Sequence, residues 1–295
     1  MRRAFFRVIS RRPCLIPSVM LLAITKDLDV HRNLALEECL LERVAENGPS
    51  LFLWRSSGAV VIGKNQNPWR EVNLAELNAA GLALARRCSG GGTVFHDAGN
   101  LNYALALPRE SYDQDTLFAQ LIAAFRRAGI PAERGAHHGL MTNGRKFSGS
   151  AFCFRRRAAL HHGTLLINAD LALLQRVLTG GLALASRAIA SHPMPVTNLA
   201  ELQPACDFGR VVCDAYAPGV AALGDAFLDT LPWREKAAKH RSWDWQYAQT
   251  PAFEINSGDA LVRVEHGRIA ALTGNSSLFT ERVGQVFKGL KTLLK

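Results

Sequence analysis

The sequence predicts a mixed α/β fold of the α+β type, in which helices flank a central sheet that is mixed or antiparallel. The chain has 295 residues, of which 48% are apolar, enough for one large core and a second, smaller one. Predicted strands and helices follow one another without the regular β–α alternation that builds a fully parallel sheet. The dipeptide Asn143-Gly144 favours the tight turn of an antiparallel hairpin and supports this prediction.

Apolar periodicity and turn residues place the elements along the chain. A helix over 33–46 is predicted because apolar residues from Leu34 to Val44 fall near one face. A second helix is predicted over 113–128, where Asp113 can cap the first turn. Short apolar runs between turn residues predict strands. The predicted strands are 19–24, 51–55, 60–63, 101–107, 146–154 and 160–167, and the further predicted helices are 72–80, 170–178 and 215–230.

Composition divides the chain into three regions, namely residues 1–17, a main domain at 18–235, and a linker with a small C-terminal domain at 236–295. Half of the net charge of +10 comes from five arginines in the first 20 residues, which contain no acid. Nucleic-acid binding is therefore a weak interpretation of the charge. The Arg-rich leader resembles a mitochondrial transit peptide and predicts a matrix location, the alternative being an ordinary basic tail.

Hydropathy and cysteine spacing exclude further classes of protein. No apolar run reaches the roughly 18 residues that a membrane span needs, so no membrane association is predicted. The six cysteines include no C-x-x-C pair, which gives no support for a zinc site and indicates reduced thiols in a protein that is not secreted.

A glycine run, Ser89–Gly92, forms the first candidate binding segment. It lacks the Lys-Ser/Thr of a P-loop and the spacing of a dinucleotide-binding loop. Glycine lets backbone N–H groups approach an anion closely, and Arg86 and Arg87 can add charge. The segment therefore predicts a phosphate or carboxylate site, although a simple turn between strands is the alternative.

Lys146 marks the second candidate segment, because it precedes the small residues of 148–151 on a predicted strand. Such a lysine has room for a ligand and could polarise a carbonyl or bridge phosphate oxygens; a solvent-facing lysine is the alternative. His161 and His162 are adjacent and face opposite sides of a strand, so no metal site is predicted there. The third segment, 186–202, reads as an ordered loop.

Together these segments resemble the lipoate–protein ligase A and mitochondrial lipoyltransferase family. Residues 86–100 are similar to its R-R-x-S-G-G-G-[AT]-V-[FY]-H-D-x-G-N motif, and residues from Lys146 onward to its K-x-S-G-[ST]-A and H-H-x-T-L-L motifs. Residues 34–38 are similar to its first-helix motif, N-L-A-x-E-E, and 243–253 to its W-x-W and T-P-x-F linker. The resemblance covers about residues 19 to 255.

The resemblance implies a fold related to biotin ligases and class II aminoacyl-tRNA synthetases, with a small C-terminal domain that is here truncated. It implies transfer of a lipoyl group through lipoyl-AMP to a lysine of lipoyl domains in 2-oxoacid dehydrogenases or of glycine-cleavage H protein. It implies that Lys146 contacts the carboxyl–phosphate junction as the catalytic residue. The residues implied to bind lipoyl-adenylate or ATP are Arg87, Ser89, Gly90, Gly91, Gly92, Thr93, Val94, Phe95, Lys146, Ser148, Gly149, Thr164, Ala188 and Ala190.

This chemistry agrees with the residue types present. AMP turns a carboxylate into a good acyl donor, and the transition states carry extra negative charge that N–H groups, Arg87 and Lys146 would offset. No side-chain nucleophile is required. The proton of the incoming amine has two candidate acceptors, His96 and His162, although each also suits a structural role.

Three departures from the family pattern bear on the activation step. His137-His138-Gly139 stands where the family has Arg-Asn-Asp, Arg187 replaces a lysine, and the tail is about half the usual length. These departures, together with the leader, favour a transferase that accepts preformed lipoyl-AMP, and a monomer is expected. The alternatives are a full ligase that uses lipoate, ATP and magnesium, and a non-catalytic module that binds lipoyl domains.

Overall fold

A computed structural model describes residues 20–257, 260–273 and 282–289, so the predicted leader lies outside the described residues. Its strands are β1 (Leu21–Ile24), β2 (Ser50–Trp54), β3 (Ala59–Ile62), β4 (Ala83–Arg86), β5 (Val94–His96), β6 (Asn100–Pro108), β7 (Glu133–Arg134), β8 (Gly139–Thr142), β9 (Arg145–Phe154), β10 (Ala158–Leu166), β11 (Ala185–Ser186), β12 (Ala222–Leu223), β13 (Phe253–Ser257), β14 (Ala260–Glu265) and β15 (Arg268–Thr273). Its α-helices are α1 (Val30–Glu42), α2 (Val44–Asn47), α3 (Pro68–Glu71), α4 (Leu74–Ala79), α5 (Gln114–Arg127), α6 (Leu171–Leu178), α7 (Phe208–Tyr216), α8 (Asp225–Leu228) and α9 (Trp233–Arg241).

The central sheet has eight strands in the order β12-β1-β2-β6-β10-β9-β8-β7. The pairs β12–β1 and β1–β2 are parallel and the other pairs are antiparallel. The predicted α/β fold with a mixed sheet is therefore confirmed. Asn143 and Gly144 adopt φ of 49° and 73° in the β8–β9 turn, as the two central residues of a hairpin turn of the primed type require.

Helices cover both faces of the central sheet because its inner strands are buried on both sides. Along β6, Tyr103 and Leu105 belong to one core cluster, with residues of α5 and α7. Ala104 belongs to a second cluster, with residues of α1. The small alanine side chains allow α1 to pack close to the sheet, which brings that helix to the wall of the cavity described below.

A separate three-stranded sheet, in the order β4-β3-β5, carries the glycine run. β4 is parallel to β3, whereas β5 is antiparallel to it. The chain must therefore reverse between Arg86 and Val94, and the glycine run makes this reversal. All four residues of β3 are buried, so the loop rests on a closely packed support.

The predicted helix over 215–230 is wrong. The helix in this region, α7, begins after Asp207, which caps it by accepting from the backbone N–H of Arg210, and it ends at Tyr216. Pro218 has no N–H to continue the helix, and Gly219 takes a φ of 73°. The following residues form β12 and α8 instead.

Other predicted elements agree with the structure to within a few residues. Asp113 caps α5 as predicted. The predicted strands 51–55 and 60–63 correspond to β2 and β3, but these belong to different sheets. Asp29 caps α1 and starts it three residues before the predicted boundary, by accepting from the N–H groups of His31 and Arg32.

The tail forms a four-stranded antiparallel sheet, β11-β13-β14-β15. Its core contains Phe253 and Phe287 packed around Trp69 of α3. β11 comes from the main part of the chain, so the tail sheet includes one strand from outside the tail. Within the described residues, no helix is long and apolar enough to cross a membrane.

Candidate functional site

A cavity of about 440 Å³ opens between the glycine run, strands β9 and β10, and helix α1. Its size is in the range of small-molecule sites. One side is apolar and the other carries backbone and cationic groups. Its wall consists of Leu34, Glu37, Trp54, Val61, Arg87, Gly90–Val94, His96, Asn102, His137, His138, Lys146, Gly149–Phe152, His162–Thr164 and Ile189–His192.

Arg87 fixes the conformation of the glycine run through hydrogen bonds to its carbonyl and hydroxyl groups. Its Nε donates to the hydroxyl of Ser89 at 2.9 Å, and Nη1 donates to the carbonyl of Val61 at 3.1 Å. Nη2 donates to the carbonyls of Gly90 at 2.6 Å and Gly92 at 2.7 Å. Burial lowers the pKa of Arg87 to about 10, so the guanidinium keeps its charge at neutral pH.

The N–H groups of the glycine run remain available to a ligand. In the described part of the chain, those of Gly90, Gly91 and Gly92 donate to no protein acceptor, although all three residues line the cavity. Gly91 has a φ of 85°, which other residue types rarely adopt. Free N–H groups beside a buried cation make this loop an anion-binding concavity.

Arg86 does not face the cavity, although the sequence places it beside Arg87. Its side chain is fully buried, and its donors bind groups in two other segments. The acceptors are the carbonyls of Gly63, Lys64, Gln66, Trp245 and Gln246 and the hydroxyl of Thr250. Arg86 therefore attaches β4 to the linker before the tail.

Lys146 lies between two glycines in the cavity wall. A Cβ atom at Gly139 or at Gly149 would come within 3.2 Å of its side chain, so only glycine leaves the lysine its full space. Burial and the nearby charge of Arg87 lower the pKa of Lys146. Thr164 lies opposite Gly149 on β10, and its hydroxyl accepts from the Gly149 N–H at 3.3 Å. No carboxylate of the described residues pairs with Lys146, and a desolvated cation of this kind suits a ligand oxygen that carries negative charge.

Two histidines of the cavity wall differ in their hydrogen bonding. His162 is engaged at both ring nitrogens, with Glu37 at Nδ1 and Ser89 at Nε2. His96 packs edge-on against Trp54 and has no hydrogen-bond partner at either nitrogen within the described residues. Burial, followed by the charges of Arg87 and His162, lowers the pKa of His96 to about 3. His96 is thus a neutral ring with free nitrogens at neutral pH.

Residues 187–195, here called the strap, cross the cavity between the glycine run and β9. At its middle the Ser191 hydroxyl accepts from the backbone N–H of Thr93 at 2.9 Å. At its C-terminal end the Pro195 carbonyl accepts from the backbone N–H of Lys146 at 2.8 Å. The predicted loop is confirmed over residues 187–195, and its middle and its C-terminal end are tied to predicted site residues.

The mouth of the cavity carries a stacked pair of imidazoles. The ring of His137 lies parallel to that of His192 in the strap, with centroids 4.1 Å apart and an interplanar angle of 8°. His137 and His138 have φ of 51° and 59°, a conformation that costs a residue with a Cβ on the order of 1 kcal/mol each. His138 packs edge-on against Phe152, at 4.9 Å. Backbone strain of this kind is concentrated at functional sites.

The structure brings most of the predicted site residues to this cavity, namely Arg87, Gly90, Gly91, Gly92, Thr93, Val94, Lys146, Gly149, Thr164 and Ala190. Four predicted residues lie behind the wall. Ser89 is bonded to Arg87 and His162, and Phe95 packs into the core beneath β3. Ser148 is buried within the sheet, and Ala188 is held in the strap through its carbonyl.

Several cavity residues were not among the predicted ligand-binding residues. Glu37 and Leu34 come from α1, and Trp54 ends β2, so their sequence positions are far from the glycine run. The paired acids of the first-helix motif were the available signal for Glu37. No comparable signal marks Trp54. In the described ranges, no cluster of three or more potential metal-binding side chains occurs.

The cavity combines apolar side chains with the free N–H groups of the glycine run and the cations Arg87 and Lys146, a combination that suits an organic anion with an apolar part. Residues 29–213, more than half of the chain, match the family model described as the lipoyl protein ligase A/B catalytic domain. The chain therefore belongs to this family of protein-lipoylation enzymes, as its motifs indicate.

Solved structures agree with this assignment. LipL1 of P. falciparum, solved in complex with lipoate, is 25% identical and has a TM-score of 0.68, with 86% of this chain and 84% of that chain covered. A bi-partite lipoate protein ligase from Thermoplasma acidophilum, described with its E2 lipoyl domain, is 22% identical at a TM-score of 0.63, covering 77% and 95%. A lipoate-protein ligase A bound with ATP is 22% identical at 0.64, covering 77% and 97%. The last two show a shared fold.

Proposed function

We propose that this chain transfers a lipoyl group from preformed lipoyl-AMP to a lysine of lipoyl domains. The family membership and the likeness to LipL1 with its bound lipoate support the acyl group. The T. acidophilum ligase, described with its E2 lipoyl domain, supports the acceptor. We extend the acceptors to lipoyl domains of 2-oxoacid dehydrogenases and to glycine-cleavage H protein, and we propose a monomer that acts in the mitochondrial matrix.

The cavity suits each part of this donor. Leu34, Trp54 and Val61 offer an apolar wall for the acyl chain. The free N–H groups of the glycine run and Lys146 line the same cavity and offer donors for the carboxyl–phosphate junction. The acceptor amine attacks the acyl carbonyl, a C–N bond forms, and the C–O bond to AMP breaks. Lys146 and the loop offset the negative charge that develops on the oxygens.

The loss of the amine proton has one free candidate acceptor in the cavity wall. Both ring nitrogens of His162 are engaged, which removes it from this role in the present arrangement. His96 has free nitrogens but a pKa of only about 3, so it can guide the amine and is too weak a base to hold the proton. The phosphate of the departing AMP is a stronger base than His96, and it takes the amine proton.

The observation that carries this proposal is the acid content of the cavity wall. Glu37 is the one carboxylate in that wall among the described residues, and Trp54 and His162 occupy both of its oxygens. Magnesium requires oxygen ligands and is usually bound through carboxylates and phosphates. Gly139 stands where the family pattern has an aspartate. The residues present therefore do not fit the magnesium that activation by ATP would use.

Mass spectrometry of an apo lipoyl domain tests the proposal. One reaction contains the full chain with lipoate, ATP and magnesium, and the other contains the full chain with lipoyl-AMP. We expect a lipoyl mass increase with lipoyl-AMP alone. An increase in both reactions would show a full ligase, and no increase in either would favour a non-catalytic binding module.

A further inference from the structure

Four buried side chains form a continuous hydrogen-bonded chain from α1 to the glycine run. Glu37 accepts from Nε1 of Trp54 at 2.8 Å and faces Nδ1 of His162 at 2.5 Å. Nε2 of His162 lies 2.7 Å from the hydroxyl of Ser89, which accepts from Nε of Arg87 at 2.9 Å. All of these side chains are less than 10% exposed. The transfer chemistry proposed above does not use Glu37, His162 or Ser89 directly.

The donors in this chain run in one direction. The Glu37 carboxylate only accepts, so it fixes the His162 proton on Nδ1. In the neutral imidazole Nε2 is then an acceptor, and the Ser89 hydroxyl donates to it. The Ser89 oxygen, having given its proton to this bond, accepts from Arg87. Each group therefore determines the orientation of the next one, and the last group is the guanidinium.

Orientation of Arg87 matters because its opposite edge holds the glycine run. Nη2 binds the carbonyls of Gly90 and Gly92, which leaves the N–H groups of this run without protein acceptors. A peptide that rotated would turn a carbonyl oxygen toward the ligand and repel an anion. The hydrogen-bonded chain from Glu37 to Arg87 thus determines which face of the loop meets the ligand.

The order serine, histidine and carboxylate also occurs in hydrolases, where the serine is a nucleophile. Ser89 does not fit that role. It is 1% exposed and does not line the cavity, and its oxygen already accepts from Arg87. A hydroxyl that cannot reach the acyl carbonyl can act only by holding its neighbours.

We propose that Glu37, His162 and Ser89 are positioning residues, which orient Arg87 and through it the acyl-nucleotide-binding face of the glycine run. This inference rests on the proposed function for the identity of the ligand. Its readout is the affinity for an acyl-nucleotide, which does not require turnover.

Two substitutions each interrupt the hydrogen-bonded series of side chains between Glu37 and Arg87, at the connection between His162 and Ser89. Ser89→Ala removes the hydroxyl that connects His162 to Arg87. His162→Asn keeps a donor toward Glu37, removes the acceptor for Ser89, and so tests the same connection if Ser89→Ala fails to fold. Ser50→Ala is the matched control, because Ser50 is another serine at 1% exposure whose hydroxyl has no partner among the described residues and lies outside the cavity wall.

Calorimetry of the full chain with a non-reacting lipoyl-sulfamoyl adenosine measures the effect. We expect each interrupting substitution to weaken binding on the order of 10- to 100-fold, as loss of one partner of a buried charged donor does. The double variant should bind the analogue no more weakly than the single variant of lower affinity, because both substitutions interrupt the same connection. The KM for the acceptor domain and the melting temperature should stay near those of the Ser50→Ala control.

Wild-type affinity in both interrupting variants would overturn the proposal. So would an equal loss in Ser50→Ala, or a loss that is accompanied by a rise in acceptor KM, since either would indicate general damage. A wild-type chain that binds the analogue tightly but never modifies a lipoyl domain would refute the transferase function alone. A wild-type chain that does not bind the analogue would refute both proposals.

Discussion

At the scale of single residues, substitution of Lys146 distinguishes an enzyme from a non-catalytic binding module. We expect Lys146→Ala to lower the rate of lipoyl transfer by roughly 100- to 1,000-fold, the range for loss of one preorganised donor to a developing oxyanion. The affinity for the lipoyl domain should not change, because Lys146 lies inside the cavity. Single-turnover transfer and a binding titration measure the two quantities.

The neighbouring cation provides the control for Lys146. Arg145 begins the same strand and is exposed, so Arg145→Ala should transfer at nearly the wild-type rate. The wild-type rate should also fall on the alkaline side before the ordinary lysine pKa of 10.5, because burial and Arg87 lower the pKa of Lys146 and the charge is lost as pH rises. Full activity in the Lys146→Ala variant would contradict the assigned role.

Gly91 tests the glycine run itself. We expect Gly91→Val to abolish binding of the acyl-nucleotide, because Gly91 has a φ of 85° and a Cβ there would lie 3.1 Å from Nη2 of Arg87. A β-branched side chain adds further restriction of the backbone. Calorimetry with the non-reacting analogue measures this binding.

Gly81→Val is the control that separates backbone strain from the effect of a side chain inside the binding loop. Gly81 also has a positive φ, 65°, but no atom lies within 4 Å of its Cβ position, and it lies outside the cavity wall. Its substitution should destabilise the protein through backbone strain while acyl-nucleotide affinity stays near wild type. Undiminished affinity in Gly91→Val would refute the anion-binding role of the loop.

At the scale of elements, the contact between α1 and α9 depends on Glu38. Its carboxylate lies 2.6 Å from Nζ of Lys239 and 2.8 Å from Nε2 of His240. Burial alone would raise the pKa of Glu38, but hydrogen bonds and charge from these two partners lower it from 4.5 to about 2. A carboxyl whose pKa is lowered on folding stabilises the protein above its unfolded pKa.

We therefore expect the free energy of unfolding to decrease as pH falls from about 4.5 to about 2. A shift of this size corresponds to about 3 kcal/mol. Glu38→Gln should lose stability on that order at neutral pH, and its difference from wild type should shrink toward pH 2. Urea unfolding across this pH range measures both chains.

Glu42→Gln is the control on the same helix, because the side chain of Glu42 is 49% exposed in its pair with Lys236. Exposed pairs contribute at most about 1 kcal/mol. An equal pH dependence in wild type and Glu38→Gln would show that Glu38 does not stabilise this contact.

Local sequence patterns predicted those elements whose start and end signals lie within a few residues. The Asp113 cap and the Asn143-Gly144 turn are of this kind. The predicted helix over 215–230 is wrong because the apolar periodicity continues across Pro218. The missing N–H of this proline prevents a continuous helix there. The division of β2 and β3 between two sheets depends on distant partners, which no local pattern contains.

At the scale of the whole molecule, the predicted leader can be tested by removing it. We expect removal of residues 1–17 to leave lipoyl transfer unchanged and to abolish mitochondrial import, because the described elements begin at Leu21 and the leader has the composition of a transit peptide. An import assay with isolated mitochondria and a transfer assay measure the two outcomes. Import of the shortened chain would refute the predicted leader.

The site was predictable where it is continuous in sequence. The glycine run and Lys146 each stand in a recognisable segment, so their chemistry could be inferred before their positions were known. Glu37 and Trp54 lie far from these segments in sequence and reach the cavity only through the tertiary fold. Strand alternation indicates that Arg86 and Arg87 face opposite sides, but which of the two faces the cavity depends on the tertiary fold.

Arg86 also has an evolutionary consequence. Most of its contacts in the linker before the tail are with main-chain oxygens, among them those of Trp245 and Gln246. A replacement at either of these positions keeps the oxygen in place, whereas a replacement at Arg86 removes every contact at once. We therefore expect the linker to tolerate sequence drift between species while the arginine remains fixed. The tail and linker of one homologue should then be able to replace those of another while the contacts of Arg86 with the linker are kept.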